Sequence, residues 1–353
     1  MSDLDNPKTY RRWDPSGIGD RIISMPQQYQ RAWEDGLALE LPGTLSQARS
    51  VVVVGMGGSA IGGELVAGLA ELEATVPVHV VRDYALPAWI GPETLVIASS
   101  YSGDTEETLS AYHQARERGA LLLAMTSGGT LAKEAATHGI PLLRIDYEGE
   151  PRSAVGYSFG MLLALLCKLG LLANKEAELQ TAVQLLQQMV SALGPEASKA
   201  QNLAKTVATA MHGRLPVVYG AEFLSGAAHR WKTQINENSK AWAFNESLPE
   251  LNHNAVVGYS LPAEVSERAY VVLLHSHLLH QRTSLRYQVT EELLLREGIV
   301  HRQVDGVGDT PLAHLLTTVM LGDFVSYYLG ILNQVDPRPV SPIDYLKGRL
   351  ADG

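Results

Sequence analysis

Apolar runs alternate with helix-like segments through the first half of the chain, and this alternation restricts the fold more than any other feature. The runs are Val51–Val54, Val76–Val81, Thr94–Ala98, Ala120–Met125 and Ile140–Ile145. Between them, Ser59–Leu72, Glu106–Arg118 and Leu131–His138 read as helices. A strand with no polar face has to be covered on both sides. Short strands joined by helical crossovers run parallel. The pattern predicts an α/β/α sandwich around a parallel, doubly wound, flavodoxin-like sheet.

The second half repeats the theme. Leu215–Gly220, Ala269–His275 and Ile299–Val304 read as strands, and Leu285–Glu297 and Leu312–Leu332 as helices. Val218-Tyr219-Gly220 followed by Ser225-Gly226 echoes Val53-Val54-Gly55 followed by Ser59. A length of 353 residues supports two domains, each with its own core. The expected division is a helical arm over 1–45, a first domain over 46–153, connecting helices over 154–200, a second domain over 201–334 and a C-terminal helix over 335–353. In the arm, Ile22, Ile23, Met25, Tyr29 and Trp33 can share one face; in the tail, Ile343–Leu350 reads as a short helix.

Composition narrows the class. A net charge of −10 argues against a general nucleic-acid binder, which needs a basic patch. Cys167 is the single cysteine, so no intrachain disulfide forms, as suits a reducing cytosol. Between Leu166 and Lys168 on a helix, it reads as a small core residue. Met1–Asp5 lacks the basic and apolar blocks of a signal peptide. The apolar stretch Ala154–Ala173 includes Tyr157 and Lys168 and reads as a buried helix rather than a membrane span. The expectation is a cytoplasmic protein that binds neither membrane nor nucleic acid.

Two loops carry the chemistry. Ser99-Ser100-Tyr101-Ser102-Gly103-Asp104-Thr105 joins a buried strand to a helix. Hydroxyls, a glycine and the unpaired N–H groups of a helix start make a neutral cradle for a phosphate. There is no G-x-x-x-x-G-K-[ST] loop, so a sugar phosphate fits better than a nucleoside triphosphate. Gly55-Met56-Gly57-Gly58-Ser59-Ala60 follows the first strand and can be read as a dinucleotide fingerprint, with Arg82-Asp83 supplying the ribose-binding acid. A bare tight turn is its plainer reading. A parallel sheet brings both loops to one crevice. There Gly57, Gly58, Ser59, Ser100, Ser102 and Thr105 can share one phosphate.

The ordered set of motifs resembles the bifunctional phosphoglucose/phosphomannose isomerase family, built from two sugar isomerase (SIS) domains. The matching pieces are Gly55–Ser59, Ser100–Thr105, Thr126–Gly129, Pro151–Tyr157, Asn236–Lys240, Asn252–Asn254 and Ile343–Lys347. The family usually has Asn at the position of Asp104, and Ala at those of Ser153 or Ser239. An acid at Asp104 disfavours phosphate unless its side chain turns away to cap the following helix.

The resemblance implies isomerisation of glucose 6-phosphate and mannose 6-phosphate to fructose 6-phosphate, with no cofactor and no metal. It assigns Glu237 as the base that moves a proton between C1 and C2, and Arg152 as the cation facing the enediolate. His253 becomes a ring-opening group donated by the neighbouring subunit of a homodimer, and Lys347 a contact to the ring oxygen. Without the resemblance, a helix-surface acid is the minor alternative for Glu237, whereas Arg152 reads as a surface arginine and Lys347 as a solvated tail lysine. Three other readings stand beside it: a phosphoglucose isomerase alone, a sugar-phosphate sensor without turnover, and an NAD-binding domain.

His275-Ser276-His277-Leu278-Leu279-His280 would put His275 and His277 on one strand face, as a metal pair does. With no interleaved Asp, Glu or Cys, a polar strand end or interface is favoured. Trp13, Trp33, Trp89, Trp231 and Trp242 read as core or dimer anchors.

Overall fold

In the computed structural model, which describes residues 3–351, the apolar runs form the central strands. Met1 and Ser2 of the N-terminal stretch and Asp352 and Gly353 of the tail lie outside the described residues. The chain opens with α1 (Pro7–Trp13), α2 (Ile18–Ile23) and α3 (Met25–Ala38). It continues through β1 (Ser50–Val54), α4 (Gly57–Glu73), β2 (Val78–Val81) and β3 (Thr94–Ser99). Then come α5 (Glu106–Glu117), β4 (Leu121–Thr126), α6 (Gly129–His138) and β5 (Leu142–Arg144). These strands form a five-stranded parallel sheet in the order β2-β1-β3-β4-β5. That is the flavodoxin-like order, with its switch point between β1 and β3.

Side chains alternate across this sheet. Val52, Val54, Val96, Ala98, Leu122 and Ala124 pack with Ala111, Tyr112 and Leu131 of α5 and α6. Val51, Val53, Leu95, Ile97, Leu123 and Met125 point the other way, into a larger core.

Three helices follow: α7 (Val155–Lys168), α8 (Glu176–Leu193) and α9 (Leu203–Met211). The second sheet is introduced by β6 (Leu215–Ala221), α10 (Ser225–Ser239) and β7 (Phe244–Leu248). It is completed by α11 (Ala263–Ser266), β8 (Ala269–His275), α12 (Gln281–Arg296) and β9 (Val300–Asp305). Its four parallel strands run β7-β6-β8-β9. The chain ends with α13 (Pro311–Leu332) and α14 (Ser341–Ala351).

The larger core is continuous from Leu4 to Leu332 and joins both halves. α13 is its axis. This helix is long and apolar enough to cross a membrane, yet all of it from Leu312 to Leu332 is buried within the protein against α8, α9 and α10.

Several expectations are corrected. The buried helix expected at Ala154–Ala173 is α7 and ends at Lys168, just before Gly170, whose φ of +71° suits a residue without a Cβ. The strands expected at Val76–Val81 and Ile140–Ile145 shorten to β2 and β5. β7 is an additional strand at a sheet edge. Of the tryptophans read as core or dimer anchors, Trp33 and Trp231 are core residues and Trp13 is half-buried, while Trp89 and Trp242 are exposed on this chain, which is compatible with the anchor reading. In the arm, Ile22, Met25, Tyr29 and Trp33 are buried and Ile23 only half so. Cys167 is likewise half-buried, its thiol donating to Ala173 O at 3.0 Å.

α10 and α13 meet at Gly322, where a Cβ would collide with the Trp231 indole. That indole N–H donates to Thr318 O at 2.9 Å. Gly322→Ala is expected to lower stability by about 1–3 kcal/mol through overpacking, read as a lower urea midpoint. An unchanged midpoint would show that this contact yields freely.

Candidate active site

The loops after β1 and β3 meet at the switch point. The turn Gly55–Ser59 enters α4, and Gly57 takes a φ of +50°, where glycine is favoured. A Cβ on Gly58 would lie 2.6 Å from Pro151 O and 2.8 Å from Arg152 N, so only a glycine lets these backbones touch. Ser99 Oγ donates to Ser59 O at 3.1 Å, and Tyr101 N–H donates to Ser59 Oγ at 2.9 Å. The two loops are thereby locked together.

Within the second loop, Ser100 Oγ donates to Thr105 Oγ1 at 2.9 Å and accepts from Gly103 N–H at 3.1 Å. Ser102 is exposed, and its Oγ accepts from Asp104 N–H at 3.3 Å. A hydroxyl has one proton to donate. Ser100 directs its proton to Thr105, whereas Ser59, Ser102 and Thr105 act only as acceptors among the described residues. Their protons remain available to an anion, alongside the N–H groups at the start of α5.

Asp104 does not cap α5. Its carboxylate accepts from Thr130 N–H at 2.9 Å, in the first turn of α6. The backbone and side-chain hydrogen bonds from Thr130 hold its carboxyl below the usual range, with Lys133 adding to the effect. The acid is therefore directed to another helix, one element further along than the sequence reading expected.

Arg152 sits in a 3-10 turn, Pro151–Ala154, and is only 3% exposed. Its Nε donates to Asn238 Oδ1 at 2.8 Å, and its Nη2 to the carbonyls of Pro337 and Arg338 at 2.8 and 2.9 Å. Its Nη1 lies 3.5 Å from Glu237 Oε2. Burial pulls its pKa down and Glu237 opposes this, but a guanidinium keeps its charge in proteins. Glu237 stands near the C-terminal end of α10, its side chain about a quarter exposed. Asn238 Nδ2 donates to Ser326 Oγ at 3.0 Å, and Ser239 Oγ to Ser326 O at 2.6 Å, which fixes the end of α10 against α13.

Behind this stands a pair that sequence reasoning missed. Arg230 of α10 donates to both oxygens of Asp323 of α13, at 3.0 and 2.6 Å, and to Arg152 O at 3.1 Å. Both side chains are almost wholly buried. The available signal was Asp323, the single Asp, Glu, Lys or Arg in the mostly apolar stretch 312–332, because an unpaired buried charge is rarely tolerated.

The structure brings together Gly58, the hydroxyl loop, Arg152 and Glu237. Among the described residues, neither His253 nor Lys347 makes a hydrogen bond or ion pair with them. His253 is the exposed last residue of a 3-10 turn, Glu250–His253, that is anchored by buried Leu251, and Lys347 lies on α14, which is exposed from Ser341 to Leu350. Neither belongs to the groups that Arg152 contacts.

Comparison with known proteins gives this arrangement a family. Residues 44–148 match the model of the SIS domain, and residues 200–350 that of the bacterial phospho-glucose isomerase C-terminal SIS domain. A bifunctional phosphoglucose/phosphomannose isomerase of Caldicellulosiruptor bescii is 40% identical over 339 residues, covering 94% of this chain and 98% of that protein. One from Aquifex aeolicus is 35% identical, covering 91% and 95%. The chain belongs to the bifunctional phosphoglucose/phosphomannose isomerase family. In fold, it is similar to a hypothetical protein of Thermus thermophilus, with a TM-score of 0.74 at 17% identity over 98% of this chain and 92% of that one.

In this member of the phosphoglucose/phosphomannose isomerase family, the histidine-rich stretch is dispersed. β8 ends at His275, so His277 is not on its face. His275 Nδ1 lies 2.6 Å from Asp305 Oδ1, and His277 packs edge-on against His314 at 4.8 Å. His280 Nδ1 accepts from Arg282 N–H and caps α12. Among the described residues, no group of three or more His, Cys, Asp or Glu is placed to hold a metal. Burial pushes the Cys167 thiol up to about 11, which keeps it un-ionised and poorly nucleophilic.

Asp104 has a folded pKa below its unfolded value, so its contribution is present above the unfolded carboxylate pKa and is lost as pH falls through the folded one. Asp104→Ala should lower stability at neutral pH by ~0.5–1 kcal/mol, the lower range for a helix cap. That gap should close at low pH, where both proteins lack the carboxylate. Urea unfolding at both pH values checks this, and equal stability at neutral pH would remove Asp104 as the cap.

Proposed function

We propose that this protein interconverts glucose 6-phosphate and mannose 6-phosphate with fructose 6-phosphate. The observation that carries the reading is the Glu237 carboxylate 3.5 Å from a buried guanidinium, on an element that abuts the glycine loop. Aldose–ketose isomerisation needs such a pair. Glu237 takes the C2 proton, and the electron pair left behind makes an enediolate with its negative charge on the C1 oxygen. The C2 hydroxyl proton passes to that oxygen, and Glu237 returns its proton to C1 as the C2 oxygen becomes the ketone. Negative charge develops on the C1 and C2 oxygens, and Arg152 is a fixed cation for it. Ser59, Ser102 and Thr105 with Gly57 and Gly58 hold the phosphate, and Ser100 keeps Thr105 in position. Glucose and mannose 6-phosphates differ only at C2, so rotation about C2–C3 of the open enediol presents either face to one base.

Ring opening falls to His253 and Lys347. Exposed His253 is followed in the chain by exposed apolar side chains, among them Val257 and Leu261. These features support a homodimer in which His253 serves the neighbouring subunit's site. We read the chain as two SIS domains, 46–153 and 201–334, with the arm 1–45, the connecting helices 154–200 and the C-terminal segment 335–353 around them, acting in the cytoplasm without a cofactor.

The test is turnover of each sugar phosphate to fructose 6-phosphate with EDTA present. Turnover of both supports the proposal. Glucose 6-phosphate alone narrows it to phosphoglucose isomerase, and binding without turnover indicates a sensor. Glu237→Gln should cut kcat by about 10²–10⁴-fold, the usual worth of a general base, with sugar-phosphate binding kept; retained activity would exclude Glu237 as base. Mixing inactive Glu237→Gln and His253→Ala chains under verified subunit exchange should restore part of the activity. No recovery would count against a site shared between subunits.

A further inference from the structure

Lys240 ends the base-bearing helix in a backbone conformation that lysine disfavours. It is the C-cap of α10, at φ +54° and ψ +35°. This left-handed region is the usual place of glycine or asparagine. Its side chain accounts for its presence. Lys240 Nζ donates to the backbone carbonyl of Glu237, one of the orphan acceptors at a helix end. It also donates to Pro337 O at 2.9 Å. The same oxygen accepts from Arg152 Nη2 at 2.8 Å. One carbonyl thus gathers two cationic side chains, one beside the base and one beside the glycine loop.

Pro337 belongs to the segment that leads directly into α14. The segment is held as well by the burial of Pro337, by Arg152 on Arg338 O at 2.9 Å, and by Arg338 Nε on Glu150 Oε1 at 2.9 Å. α14 has no buried residue from Ser341 to Leu350, so its direction is set where the chain leaves this anchorage.

We infer that Lys240 is a positioning residue, which clasps the C-terminal segment to the end of the base-bearing helix and so sets the point from which α14, with Lys347, departs. The inference rests on the proposed roles of Glu237 and Lys347. The charged groups around the clasp are Arg152 on its turn, Glu237 on α10 and Asp336 on the C-terminal segment, while the Arg338 side chain turns to Glu150. Burial and then Arg152 push the ammonium down to about 8, against the pull of Glu237 and Asp336. Below about that pH both bonds are charge-assisted; above it a neutral amine makes weaker ones.

The experiment compares wild type with Lys240→Gly, Lys240→Met and Lys240→Arg by hydrogen exchange of residues 336–350 and by steady-state kinetics against pH. Lys240→Gly removes the amine while suiting the backbone, so it separates a clasp from a cap. Both Gly and Met variants should speed exchange of the segment about tenfold, the loss of one charge-assisted hydrogen bond. Both should lower kcat by a similar factor, with KM within about twofold. Lys240→Arg should restore protection and shift the alkaline limb of kcat upward, because its guanidinium does not titrate there. Wild-type exchange and kcat in Lys240→Gly would overturn the inference and leave Lys240 a helix cap. A wild-type protein that isomerises neither sugar would instead sink the proposed function. The exchange measurement would still decide whether the clasp exists.

Discussion

A guanidinium removed from water must have its charge and its N–H groups matched, and the site is arranged around that demand. Arg152 satisfies it with one side-chain amide, two backbone carbonyls and one carboxylate, drawn from α10 and from the C-terminal segment. Stripping away a partner leaves a buried charge uncompensated, which is strongly unfavourable. The demand therefore fixes where α10 ends and where residues 337–338 pass. Gly58 then brings the phosphate loop against the same turn. Loop, base and C-terminal segment hold their mutual positions because each meets Arg152.

The support behind Arg152 follows the same logic one layer deeper. Arg230 and Asp323 neutralise each other inside the core and lend a donor to Arg152 O. A buried pair of this kind contributes little net stability against an apolar substitute of equal volume. Its value here is placement, since two helices that carry opposite charges at fixed heights cannot slide past each other. Asn238 and Ser239 add neutral bonds to the same helix at Ser326. α13 is thus apolar over most of its length and polar where it backs the site.

What the sequence made legible follows from burial. β1 and β3 lie between two layers of helices, so Val51–Val54 and Thr94–Ala98 carry no polar side chain facing solvent and announce themselves as strands. β7, Phe244-Asn245-Glu246-Ser247-Leu248, is a sheet edge that alternates between exposed and half-buried positions up to buried Leu248, and it leaves no apolar run to read. α10 was obscured because its inward face holds Arg230, Gln234, Asn238 and Ser239 among Ala227, Ala228, Trp231 and Ile235. Arg152 looked like a surface arginine for the same reason: the partners that permit its burial lie 85–186 residues away. The target of Asp104 was missed by one helix, since which helix start it meets depends on how two loops pack. The roles given to His253 and Lys347 came from family resemblance, and both side chains are exposed, with no bond among the described residues to tie them to Glu237.

The proposed chemistry makes sense of why the phosphate loop is neutral and the nearby cation is kept elsewhere. A charge set against the phosphate would bind substrate and transition state alike, which lowers KM without speeding the reaction. A charge set beside the reacting carbons acts where negative charge appears only on the way through the enediolate. In the free protein Arg152 faces the Glu237 carboxylate. When that carboxylate takes a proton it loses its charge, and the charge reappears on the substrate oxygens. If those oxygens lie within reach of the same guanidinium, Arg152 is matched before, during and after the transfer, and no buried cation is left without its counter-charge at any step.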